Sequence, residues 1–88
     1  MITPTVGRIV WFEDGVRKTQ AAIITYVWSD TLVNLTVFDP NGIPFSQTSI
    51  TLEQDVPTGA LPHCRWMPYQ KAVAKGEIAP TLHAQVTS

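Results

Sequence analysis

Cysteine is all but missing from this chain. In 88 residues there is only Cys64, so no intrachain disulfide can form, and no grouping of it with the two histidines has the spacing of a zinc site. Charge is sparse as well. Six basic against seven acidic side chains give a formal net charge of −1, a poor match to a phosphate backbone, which argues against general DNA or RNA binding. No apolar run approaches the roughly 18–20 residues of a membrane-spanning helix. The segment Met1-Ile2-Thr3-Pro4-Thr5 also lacks the basic-then-apolar order of a signal peptide, so the expectation is a soluble, cytoplasmic protein with no membrane partner. Internal repeats, low-complexity tracts and nucleophile signatures such as Gly-x-Ser-x-Gly are missing too. Cys64 follows His63, but neighbours in a strand face opposite ways, which makes a buried inert thiol the expected role. The acidic pair Glu13-Asp14 sits at a turn, where solvation accounts for it. No enzyme activity, metal or cofactor is expected.

What is present is β patterning. A chain of this size forms one thin core, which supplies only a few kcal/mol of net stability. With disulfides and metals excluded, homo-oligomerisation is the expected staple. The first strand candidate is Gly7 to Glu13, ended by the turn signal Asp14-Gly15. Ile9 and Trp11 alternate with Val10 and Phe12, so both of its faces carry bulk. After the polar stretch Val16 to Gln20, the run Ala21 to Trp28 is rich in β-branched and aromatic residues and reads as a central strand. Trp11 and Tyr26 are expected in the core. Ser29-Asp30-Thr31 turns the chain, and Leu32 to Phe38 alternates with Val33, Leu35 and Val37 inward. Asp39-Pro40-Asn41-Gly42 suits a type I turn. A hairpin partner follows from Ile43 to Leu52, with Ser46, Thr48, Ile50 and Leu52 on one face and Pro44 at its edge. Glu53 to Pro62 reads as a surface loop, His63 to Met67 as a last short strand, and Tyr69 to Gly76 as a helical turn that Pro80 cannot extend. Leu82 to Val86 alternates with period two and can add a strand to an open edge. This spacing predicts an all-β fold: a small SH3-like barrel first, or a five-stranded antiparallel sandwich. The expected organisation is one β domain over residues 1–69 and a C-terminal extension over 70–88 that contacts other subunits.

The segments Val6-Gly7-Arg8-Ile9-Val10-Trp11-Phe12, Val33-Asn34-Leu35-Thr36-Val37-Phe38-Asp39-Pro40-Asn41-Gly42 and Trp66-Met67-Pro68-Tyr69-Gln70 resemble a group of small phage and prophage proteins. The likeness spans residues 5–70. It implies phage origin, and with it the cytoplasm of an infected bacterial host. It also implies a role among virion components, nucleic-acid handling modules or inhibitors of host defence, some of which are oligomeric sponges for nucleotide signals.

Trp28, Trp66 and the polar cluster Ser29, Asp30, Asn34 and Thr36 are the candidate ligand contacts, because aromatic faces stack on bases while short polar groups fix orientation. Arg8 and Arg65 are the candidate phosphate partners, with Arg17 and Lys18 beside them, since a symmetric oligomer would bring copies together. The plainer alternative is that Ser29 and Asp30 only make the turn while Asn34 and Thr36 face water. The functional expectation is a non-enzymatic homo-oligomeric protein that sequesters a nucleotide-like immune signal. The alternative is a minor virion or assembly component, or an inhibitor acting by protein contact.

Overall fold

In the computed structural model, which describes residues 1–76, every strand owes its position to which of its side chains the barrel interior accepts. Strand β1 (Ile9–Glu13) sends Val10 and Phe12 inward, both at most 1 % exposed. Strand β2 (Gln20–Ser29) turns into β3 (Leu32–Phe38) through Asp30-Thr31, and β3 alternates as its sequence dictates, with Val33, Leu35 and Val37 buried. Strand β4 (Pro44–Glu53) leads by a long loop to β5 (His63–Arg65). The order β1-β2-β3-β4-β5 closes on itself because β5 pairs with β1. Closure leaves no unpaired sheet edge around the ring.

Of the two expected architectures the closed barrel is the one observed, with a short helix at its end. One pairing differs from an all-antiparallel arrangement: β4 and β5 run parallel, with Leu52 opposite Cys64. The long loop between them makes that crossover possible. Helix α1 (Pro68–Ala74) begins with proline at its first turn, where a missing N–H costs nothing. Its Gln70 accepts a hydrogen bond from Met67 N–H (2.7 Å) and donates one to the Ile9 carbonyl (2.8 Å), tying the helix to β1. The helix begins ahead of residue 70, where the C-terminal extension is expected to start. The expected strand Leu82 to Val86 lies outside the described residues.

Turns follow their chemistry. Asp14 Oδ1 accepts from the N–H groups of Val16 and Arg17, each at 2.8 Å. Asp39 Oδ1 does the same for Asn41 and Ile43, while Gly42 takes the left-handed conformation (φ 82°) that closes the turn.

Three register shifts change what the alternation predicts. The β2–β3 ladder slips between Ile24 and Tyr26 and again between Val27 and Ser29. Tyr26 then lies opposite Asn34, whose strand neighbours point inward, so Tyr26 is turned to solvent. It is 50 % exposed instead of belonging to the core. The third shift lies between Val33 and Leu35 on β3, opposite Thr48 and Ser49, where Ser49 adopts φ 55°. An extra residue in a strand reverses the faces beyond it. Ser46 and Thr48 are consequently exposed, whereas Ile50 and Leu52, expected on the same face, are buried.

Trp11 also lies on the outer side, half-covered by the Arg65 guanidinium 4.8 Å from its ring. Two supposed surface or loop positions are buried for a different reason. Gln20 begins β2 opposite Phe12 and points with it toward the barrel interior, and Gln54 ties three parts of the chain together.

Candidate functional site

The two bulges in β2 place the aromatic rings of Tyr26 and Trp28 side by side on the outer face, 4.7 Å between centroids and 68° between planes. Edge-to-face packing of this kind is favourable, yet both rings keep half or more of their surface in water. Asn34, on β3, fixes the indole: Trp28 Nε1 donates to Asn34 Oδ1 at 3.0 Å. The same oxygen accepts the Ser49 N–H at 2.8 Å, which anchors the bulge of β4. Asn34 therefore offers a ligand its amide N–H donors, because its acceptor is already committed.

Thr36 lies two positions along the same face, opposite Ser46. Ser29 and Asp30 are at the adjoining turn. Ser29 Oγ accepts the Thr31 N–H at 3.3 Å, which is turn chemistry, and the Asp30 carbonyl accepts from Gln54 Nε2 at 2.8 Å. The Asp30 carboxylate remains exposed beside Trp28.

Trp28, Ser29, Asp30 and Asn34 thus lie toward the turn end of the β2–β3 hairpin, while Thr36, opposite Ile23, lies farther along β3 on the same face as Asn34. The other three candidates do not join them. Trp66 is 1 % exposed and belongs to the core, its Nε1 donating to Gln54 Oε1 at 3.0 Å, so it is unavailable to a ligand. The Arg8 guanidinium covers that ring from 5.0 Å. Arg65 pairs with Glu13 at 2.7 Å while lying over Trp11, at the opposite end of the β2 ladder. Both arginines are cation–π partners of indoles, Arg8 of Trp66 and Arg65 of Trp11. The residue that sequence patterning missed is Tyr26. A bulge leaves no reliable mark in the amino-acid order.

Electrostatics sharpen the character of the face. None of the six lysines and arginines belongs to β2 or β3, and Asp30 gives that end a negative charge. Elsewhere, hydrogen bonds from Thr19 and Arg65 hold the Glu13 carboxyl below the usual glutamate range. Burial alone would raise Glu53, but hydrogen bonds from the Thr58 backbone and hydroxyl and the nearby His63 bring it below that range. Burial pushes the Cys64 thiol up to about 12, leaving it protonated at neutral pH. Among the described residues no group of His, Cys, Asp and Glu can hold a metal, and no helix is long and apolar enough to cross a membrane.

The chain matches no protein-family model, no curated protein and no solved structure. Its functional reading rests on the geometry of its own side chains.

Proposed function

We propose that this is a non-catalytic, phage-encoded binding protein that acts as a homo-oligomer and sequesters a nucleotide-like ligand on the outer face of β2 and β3. The observation that carries the reading is the Tyr26–Trp28 pair, two large rings left half in water while Asn34 locks the indole in place. Large aromatics are rarely left exposed and immobilised together without a partner, and one base stacked on such a ring gains about 1–3 kcal/mol. The Asn34 amide is at the indole, with the Asp30 carboxylate at the adjoining turn and the Thr36 hydroxyl two positions along β3, as groups to read a base edge or a ribose hydroxyl. Phosphate is the harder half of the ligand. With Arg8 and Arg65 engaged on indoles, the reading assigns the phosphate to Arg17 and Lys18 of a neighbouring subunit, both exposed on the β1–β2 loop.

The test is to incubate the purified protein with cyclic and linear nucleotides, remove free ligand, heat the protein and identify what is released. Intact nucleotide from the native protein, and none from a folded Trp28→Ala variant of the same oligomeric state, supports the reading. Retention unchanged in Trp28→Ala removes this face from the function. A second reading draws on the missing cations: the same rings dock onto a partner protein during particle assembly, since Trp and Tyr dominate the centres of protein interfaces. It predicts no retained nucleotide, and a Trp28→Ala variant that is absent from washed particles.

A further inference from the structure

Lys71 and Lys75 lie four positions apart at the end of α1. Lys75, the C-cap, keeps helical backbone (φ −83°, ψ −4°), with its N–H on the Lys71 carbonyl at 3.0 Å. Side chains at that spacing are neighbours, and like charges there repel. Neither ammonium has an ion pair among the described residues. Both line a hollow of about 140 Å³, together with Ile2, Gln54, Trp66 and Ala74.

The walls are fixed before any ligand arrives. Gln54 Oε1 accepts from Ile2 N and Trp66 Nε1, and its Nε2 donates to Ile2 O and Asp30 O, so the carboxamide has no hydrogen-bonding capacity left over. Asp55 is the one acid that lines the hollow, and the Met1 amino group lies 3.3 Å from its carboxylate. The unanswered charge is therefore that of the two lysines, while Ile2 and Ala74 bring only apolar side chains. We propose that this hollow is a binding site for a small organic carboxylate with an apolar body.

Volume sets the size of the ligand. An apolar cavity of about 150 Å³ holds benzene, so a single ring or a branched chain of about six carbons fits. Charge sets its head group: a carboxylate between the two ammonium groups gains charge-assisted hydrogen bonds and relieves their repulsion. Its apolar body displaces water from Ile2 and Ala74. A bare anion obtains only the first of these gains and a neutral isostere only the second, so discrimination against both is the signature of the site. The inference goes beyond the nucleotide reading and does not rest on it, because Trp28 is on β2 whereas the hollow is built from the N-terminal segment, the residues after β4 and α1.

The test is a titration of the ¹⁵N-labelled full chain with benzoate, with benzamide as the neutral control and inorganic phosphate as the bare anion. The expected result is shift changes at Ile2, Asp55, Lys71–Lys75 and the Gln54 side-chain amide, with both controls weaker by about tenfold or more. Lys71→Gln and Lys75→Gln should each weaken benzoate binding. Ala74→Leu, which keeps both charges and fills the hollow, should weaken it too, and Trp28→Ala should leave it unchanged. The lysine variants remove no ion pair among the described residues, so they report on the site even if Ala74→Leu alters the helix. Three results overturn the proposal: no benzoate shifts at these residues, benzamide or phosphate binding as tightly as benzoate, or benzoate binding unchanged in both lysine variants. Nucleotide retention is no part of the readout, so failure here and failure of the nucleotide reading are told apart.

Discussion

Replacing Gln54 by leucine and replacing Gln20 by leucine are chemically the same change at two buried positions, and they should move stability in opposite directions. Gln54→Leu abolishes four hydrogen bonds: from Ile2 N (3.1 Å) and Trp66 Nε1 (3.0 Å) to Oε1, and from Nε2 to Ile2 O and Asp30 O (2.8 Å each). The Trp66 indole N–H suffers most, because its residue is 1 % exposed and water cannot replace the lost acceptor. An orphaned buried donor costs about 1–3 kcal/mol, and the three backbone groups nearer the surface add roughly 0.5 kcal/mol each. The apolar area of the new leucine returns about 1 kcal/mol. The net is a loss of about 1.5–3.5 kcal/mol, which for a domain of this size lowers Tm by roughly 6–28 °C. Gln20→Leu removes two unpaired atoms and breaks no hydrogen bond among the described residues, so ligand-free stability should hold or rise by about 1–2 kcal/mol. Urea and thermal unfolding followed by tryptophan fluorescence measure both. Equal losses in the two variants would refute the reasoning, since Gln20 would then have to be as well satisfied as Gln54.

Acid should destabilise the protein through Glu13 and Glu53. Both carboxyls titrate below the ordinary value of 4.5 when folded, so their contribution is complete above that pH and disappears as pH falls through the lowered values; Tm measured from pH 7 to pH 3 should be flat and then fall, with a shallower fall in Glu13→Gln. Asn34→Ala removes the acceptor for Trp28 Nε1 and Ser49 N and should cost about 1 kcal/mol, with the Trp28 indole N–H exchanging faster in proton NMR; an unchanged exchange rate argues against the fixed indole. Ser49, at φ 55°, should tolerate glycine within about 0.5 kcal/mol, whereas the β-branched Ser49→Val should lose about 1–3 kcal/mol in urea unfolding. Equal tolerance of both would show that the bulge relaxes.

The alternation of Leu32 to Phe38 and the Asp39-Pro40-Asn41-Gly42 turn made the central hairpin legible, because both signals are local: a period of two and a side chain that bonds its own backbone. Bulges are not local in that sense. Thr25, Trp28 and Ser49 carry no residue type that marks an extra position, and the slips they accompany decide that Tyr26 faces out and that Ser46 and Ile50 part company. The parallel β4–β5 pairing escaped for a related reason, since a loop of mixed composition does not say which strand its far end will join. At the candidate site, the turn residues and Trp28 with Asn34 were found because they are close in sequence. Arg8, Arg65 and Trp66 were misplaced because pairing of an arginine with an indole depends on barrel closure, which brings β5 beside β1.

The three tryptophans show how that closure divides the work of recognition. Trp66 is sealed in the core under Arg8, and Trp11 lies beneath Arg65, itself held by Glu13. Among the described residues only Trp28 has no cation over its ring, with Tyr26 and Asn34 as its neighbours. The two arginines nearest the aromatic strands are thereby removed from anion binding. Of the remaining cations, Arg17 and Lys18 are on the β1–β2 loop, at the other end of β2 from Trp28, and Lys71, in α1, and Lys75, at its end, line a hollow with Gln54. On the proposed reading, a nucleotide stacked on Trp28 takes its phosphate partner from the β1–β2 loop of a second copy of the chain. That reading predicts that nucleotide retention weakens on dilution, because a site shared between two copies is lost when they separate; retention independent of protein concentration would place every contact on one copy.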